Sequence, residues 1–355
     1  MSNYKYITLA HATDLVASIG SRVTTLITGP MGCGKSSILT SLASRFPTHR
    51  PIYLEAQTLD LGDLQMPKFS VANGREVVSF VPNEALGFHM DQPVILMFDE
   101  IGKASKSVLN AVLRIMLERK LGDRALPEGS IVFATTNRGT EGLGDNIPAH
   151  MKNRICQVNV TKPTAMSWIE EWALNAGIHP IILGAAIEFP AMFADDVDVE
   201  DPNSNYYIFH PKQPRTAFVT PRSLEKASDI LKSTENLPDD VRVHALMGVV
   251  GEAAAMDILT LTKLDEQLPT WEQVVNNPES TKLPTGAAAS CMMVAKAVQR
   301  LERETFDAWM LYVQRLGKEV QALFARSIMR SPKVGIATTH KEFSKWAAAN
   351  SYLFS

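Results

Sequence analysis

Gly29-Pro30-Met31-Gly32-Cys33-Gly34-Lys35-Ser36 fits the pattern G-x-x-x-x-G-K-[ST] at every defined position. The run before it, Val23 to Thr28, is β-branched and apolar, which predicts a buried strand. The run after it, from Ser37 to Ala43, has helical spacing and good helix formers. Strand, glycine loop and helix together read as a phosphate-binding loop. Its glycines let backbone N–H groups turn inward around an anion. The following helix adds partial positive charge at its N-terminus. Gly29, Pro30, Met31, Gly32, Cys33, Gly34, Lys35, Ser36 and Ser37 are therefore the candidate phosphate contacts. Lys35 would reach the β- and γ-phosphates, and Ser36 would offer its hydroxyl to Mg²⁺. The competing reading, a glycine-rich turn that binds nothing, leaves the flanking strand and helix without a reason.

Composition narrows the classes around this loop. The chain has 355 residues, enough for two or three domains. Hydrophobic content of 45% and charged content of 21% are those of an ordinary globular protein. No stretch is long and apolar enough to span a membrane, and Met1 to Tyr6 lacks a signal-peptide layout. A formal net charge of -3 gives no sign of a strongly basic nucleic-acid binder. Cys33, Cys156 and Cys291 are far apart with no metal-ligand spacing, which predicts reduced thiols and a cytoplasmic protein. Cys33 reads as a small residue filling a loop position rather than a redox switch.

Val94 to Glu100 is the second diagnostic stretch. Its five apolar residues predict a strand buried on both faces, ending in Asp99 and Glu100. In a parallel sheet the strand C-termini form the ligand crevice. Asp99 would then lie beside Ser36 and hold Mg²⁺ through water, and Glu100 would act as general base on the attacking water. Ser130 to Asn137 predicts another buried strand, ending in an amide able to orient a water against the γ-phosphate. Between the two, Ala104 to Lys120 carries apolar residues at helical spacing. Asn73-Gly74 between β-prone arms predicts a hairpin. A structural ribbon and a loop that projects toward a partner both remain open for it.

These residues now carry a resemblance. The order of phosphate loop, apolar-Asp-Glu and strand-Asn resembles an AAA+ ATPase. Asp60 to Asp63, the Asn73-Gly74 hairpin, Pro82 to Leu86 and Leu126 to Gly129 resemble the MoxR-like branch, which is of the dynein-related type. That branch carries one hairpin within its second helix and another before its first sensor. The likeness extends to Ile147 through Ile155, where the family places an arginine that reaches the neighbouring subunit's ATP; here it is Arg154. Asn153 stands where the family usually has an acidic residue, and a surface or cis-acting Arg154 stays open. Thr220-Pro221-Arg222-Ser223-Leu224-Glu225 resembles the sensor-2 motif, with Arg222 near the start of a lid helix and able to bend over the ATP.

The resemblance implies an α/β P-loop core at 1–161 with a mostly parallel five-stranded sheet, an all-α lid at 162–235, and a helical C-terminal extension at 236–355. It implies ATP and Mg²⁺ at a subunit interface, with Glu100, Asn137, Arg154 and Arg222 catalytic. Ser36 and Asp99 are the expected metal-side residues. It also implies a ring, expected to be a hexamer, that remodels or activates a separate protein client, such as one with a von Willebrand factor A domain. The alternative is a nucleic-acid motor or loader on the same core, although no zinc ribbon, basic tail or helix-turn-helix signature is visible. Asp195 to Asp201 lacks the ligand spacing and glycine of a calcium loop and reads as solvated. Val241 to Leu264 and Ala287 to Met329 read as helical.

Overall fold

The computed structural model describes residues 6–138, 153–234 and 236–354. The chain forms two compact units, Met1–Lys162 and Pro163–Ser355.

The first unit is built on five strands: β1 (Thr25–Gly29), β2 (Arg50–Glu55), β5 (Val94–Asp99), β8 (Ile131–Asn137) and β9 (Cys156–Asn159). Their order is β2-β5-β8-β1-β9, and every pairing is parallel. The central strands are apolar at successive positions because both faces are covered. Val94, Leu96 and Phe98 of β5, with Val132 and Ala134 of β8, face one core. Helix α4 (Lys106–Glu118) fills that core with Val108, Leu109, Val112 and Met116. Ile95, Met97, Ile131 and Phe133 face the other, against Ala12 and Val16 of α1 (Leu9–Ile19) and Ile38 and Leu42 of α2 (Ser37–Arg45). Each fully buried side chain of this size contributes roughly 1.5–3 kcal/mol. At the N-terminal end of the sheet Arg119 closes α4 in a left-handed conformation, φ 56°. It donates to Thr24 Oγ1 at 2.7 Å and to the Gly20 carbonyl at 2.9 Å. Burial pulls its pKa down to about 10.

After α3 (Leu61–Leu64), the chain leaves the sheet as a long hairpin of β3 (Gln65–Ala72) and β4 (Arg75–Pro82). Asn73 and Gly74 form its tip with φ 52° and 75°, the doubly positive pair that a type I′ turn requires. A short second hairpin, β6 (Lys120–Leu121) and β7 (Arg124–Ala125), abuts the root of the first. A Cβ on Gly122 would lie 2.6 Å from the Phe80 carbonyl oxygen.

The second unit is helical. Its central helix, Ala287–Arg300, is buried at every position from Ala288 to Ala295, as a helix apolar on all sides must be. One continuous core runs through the unit, with Leu183, Leu224, Ile258, Trp309 and Phe324 fully buried in it. Cys291 lies inside it, and burial together with the Glu170 charge pushes its thiol up to about 12. The expected helix over Val241 to Leu264 is two, Asp239–Val250 and Glu252–Glu266, because Gly251 at φ 86° breaks the run. The helix Pro180–Glu188 ends two residues before Pro190. Asp195 is buried rather than solvated, while Asp198, Glu200 and Asp201 are exposed. Among the described residues no helix is long and apolar enough to cross a membrane.

Candidate functional site

Strand order explains the site. Strand β8 lies between β5 and β1, so the end of β8 stands between the carboxylates that close β5 and the loop that leaves β1. Gly29 is level with Asn137 in the register. The loop then turns with φ 67° at Gly32 and 106° at Gly34, values a side chain resists. Gly29 must also be glycine, since a Cβ there would come within 2.4 Å of Val160 Cγ2. Cys33 is buried in the α1–α2 core.

Lys35 is 6% exposed, and its ammonium is fixed by three acceptors. It donates to the carbonyls of Gly29 at 3.0 Å and Pro30 at 2.8 Å, and to Asn137 Oδ1 at 2.7 Å. Asn137 in turn donates through Nδ2 to Glu100 Oε1 at 2.6 Å. A cation on one side and a carboxylate on the other settle which way this amide points. Ser36 has helical backbone angles and makes no side-chain cap to α2. Its hydroxyl instead donates to Asp99 Oδ2 at 3.1 Å. Ser37 donates to the Gly34 carbonyl at 2.7 Å. Lys35, Ser36, Asp99, Glu100 and Asn137, drawn from three separate sequence stretches, thus meet in one connected network.

The network contains residues that motif reading missed. The Tyr53 hydroxyl donates to Asp99 Oδ2 at 2.9 Å. Glu55 is level with Asp99 across β2 and β5, so Tyr53, two residues earlier on the same face, reaches along the sheet. Thr135 Oγ1 donates to Asp99 Oδ1, and the Glu100 N–H does so at 3.2 Å. Thr135 is two residues before Asn137 and shares its face, a period-2 signal present in the sequence. Tyr53 gave no such signal, because only the register places it. Lys103 Nζ lies 3.0 Å from Glu100 Oε2.

Of the two candidate arginines, Arg154 belongs to the sheet unit and stands apart from this network. Arg154 and Asn153 are exposed in the turn before β9, while Ile147 to Lys152 of the same motif lie outside the described residues. Strand β9 runs parallel to β1 with Cys156 level with Thr25. Arg154 therefore stands at the sheet end opposite the loop, and the rise from Thr25 to Gly29 alone is ~13 Å. Arg222 belongs to the helical unit. It lies in the first turn of Pro221–Ser233, after the N-cap Thr220, and is exposed.

Residues 24–154 match the AAA domain (dynein-related subfamily), a span that takes in the loop, the β5 carboxylates and Asn137. This segment is thus similar to an AAA domain. No curated protein matches the chain. Solved structures similar to it include the RuvB Holliday junction branch migration motor of Thermotoga maritima, at 16% identity and a TM-score of 0.38. That match covers 86% of each chain. A point mutant of the same protein matches at the same identity and TM-score over 77% of this chain and 74% of its own. Likeness at that level carries nothing about what this chain acts on.

The residues present fit a nucleoside triphosphate with a divalent cation. The loop turns through positive φ at Gly32 and Gly34, Lys35 is a buried cation within it, and Ser36 with Asp99 forms a hard oxygen donor set of the kind Mg²⁺ takes.

Proposed function

We propose that the AAA domain hydrolyses ATP to ADP and phosphate with Mg²⁺, in a head-to-tail ring of this chain, and that hydrolysis drives remodelling or activation of a separate protein client. The observation that carries the hydrolytic part is the unbroken path from Lys35 through Asn137 to Glu100. Bound Mg²⁺ supplies neutralisation of phosphate charge. Lys35 would contact the β- and γ-phosphates, and Ser36 and Asp99 would hold the cation. Glu100 would take a proton from water, and Asn137 would orient that water beside it. Such catalysis is mostly positioning and charge stabilisation. A head-to-tail interface closes into a ring when its rotation permits, and a hexamer is the number the resemblance implies. The exposed position of Arg154, at the far end of the sheet from its own loop, supports a role toward a neighbour's site.

Replacing Lys35 by Ala removes the one buried ammonium among the described residues of this loop. Lys35→Ala is expected to lose binding of a fluorescent ATP analogue, measured by anisotropy. Unchanged binding would remove the phosphate-loop assignment.

The β3–β4 hairpin is our candidate for engaging the client. Directly paired residues share a face, so Phe80, Phe69, Val78 and Val71 lie on one side, with Glu76 opposite Val71 near the tip. Phe69 is 78% and Val71 73% exposed. Lys68, Ser70, Ser79 and Arg75 occupy the other side, together with Met66, Val77 and Val81. None of the phosphate chemistry uses these residues. Deleting the Asn73-Gly74 tip should leave basal ATPase at the parent rate. It should abolish any rate increase produced by a permanently unfolded, carboxymethylated protein. If hydrolysis collapses with the tip, the ribbon is structural.

The runner-up, a nucleic-acid motor, predicts ATPase stimulated by DNA in a salt-sensitive way. No described feature of the site favours it.

A further inference from the structure

Glu100 is held from two sides, and only one of them belongs to the phosphate-loop network. It caps the 3-10 turn Ile101–Lys103 with φ 54° and ψ 39°, a left-handed conformation costly for a residue with a Cβ. The turn closes through the Lys103 N–H to the Glu100 carbonyl at 2.9 Å. Three residues per turn place the side chain of residue i+3 above that of residue i. Lys103 therefore lies over Glu100, with its ammonium 3.0 Å from Oε2. The pair is 20% and 19% exposed. Oε2 is buried and makes no hydrogen bond, so the ammonium holds it by charge rather than by a directed bond. Oε1 is the oxygen tied to Asn137, and through it to Lys35. The carboxylate is thus split: Oε2 faces Lys103 and Oε1 faces the phosphate loop.

We propose that Lys103 is a positioning residue for hydrolysis. By pinning Oε2 it keeps Oε1 on the loop side, where the proton from water must go. The strained backbone puts Glu100 at the strand end, and two anchors then stop its side chain from turning away. With Lys103 gone, the Asn137 contact alone would hold a side chain with several free torsions. This rests on the reading of Glu100 as general base, and the test separates the two.

The experiment uses the full chain and measures single-turnover ATP hydrolysis, steady-state kcat and KM, and affinity for a fluorescent ATP analogue with Mg²⁺. Lys103→Met is expected to lower kcat by about 10–100-fold, the scale of a small misplacement of a catalytic group, with nucleotide affinity unchanged. Lys103→Arg keeps the cation and should recover most of the rate. In a Glu100→Gln background, Lys103→Met should cost nothing further, because residues acting through one group are non-additive. Unchanged or faster turnover of Lys103→Met, an arginine variant as slow as the methionine one, or a further loss on top of Glu100→Gln would each overturn the proposal alone. A fall in nucleotide affinity that matches the lost rate would do the same. Parent-like turnover by Glu100→Gln by itself would overturn the base assignment and the proposal with it.

Discussion

Glu100→Gln should bind ATP and hydrolyse it more slowly by ~10²–10⁴, the usual contribution of a positioned general base. The substitution keeps the shape of the side chain and the acceptor for Asn137 Nδ2, now at 2.6 Å from Glu100 Oε1. It removes the carboxylate charge that makes the oxygen basic enough to take a proton, and it sets an amide against Lys103 in place of a carboxylate. Phosphate contacts come from Lys35 and the loop, which the change does not touch, so nucleotide affinity should stay at the parent level. A protein that binds without turnover should also keep any ATP-dependent assembly, visible as an earlier peak on size-exclusion chromatography in ATP than in ADP. Two measurements decide: phosphate release and analogue binding on the same preparation. Turnover close to the parent's would move the base to another residue. Loss of binding together with turnover would mean that Glu100 supports the loop rather than the chemistry.

The parts of this site that were legible in the sequence are those fixed by local backbone chemistry. The glycine positions before Lys35 declare a turn with positive φ, and Gly32 and Gly34 adopt it. The unbroken apolar runs of β5 and β8 declare strands covered on both faces, and both are buried throughout, but for Asn137 at the end of β8. Asn73-Gly74 declares its turn in the same way. What the sequence could not show depends on strand order and register. Tyr53 meets Asp99 only because β2 lies beside β5 with Glu55 level with Asp99. Asn137 can touch both Lys35 and Glu100 only because β8 lies between their strands. Lys103 finds Glu100 through a 3-10 turn that no periodicity announces over three residues. The helical unit was legible as helices but not in its breaks, where Gly251 and Pro190 interrupt apolar runs that continue past them. The buried Asp195 was misread because a run of carboxylates looks solvated until the fold turns one of them inward.

The larger effect is expected at Arg154, where it would test the ring as well as the residue. An arginine supplied in trans to a transferring phosphoryl group is worth ~10³–10⁵ in rate. Arg154→Ala should therefore bind ATP as the parent does and barely hydrolyse it. Its distance from its own phosphate loop argues that the lost activity belongs to a neighbour's site. Glu100→Gln is inactive for a different reason and keeps its arginine. When the two inactive proteins are unfolded, mixed and co-assembled, a subunit with intact Glu100 can face the Arg154 of a Glu100→Gln neighbour. Random mixing at equal amounts creates such a junction at about one interface in four, so recovery should approach about a quarter of parent activity if sites act independently. Coupling around the ring would lower that figure. Mixed assemblies that form and show no activity at any ratio would mean that Arg154 works within its own subunit or that sites cannot fire separately. Arg222→Ala distinguishes these cases, since the resemblance implies that this arginine acts in cis. In cis, its defect sits on the same subunit as an intact Glu100, and mixing with Glu100→Gln cannot supply what that subunit lacks. Rescue with Arg222→Ala and none with Arg154→Ala would exchange the two assignments, and would put the trans contact on the helical unit instead of the turn before β9.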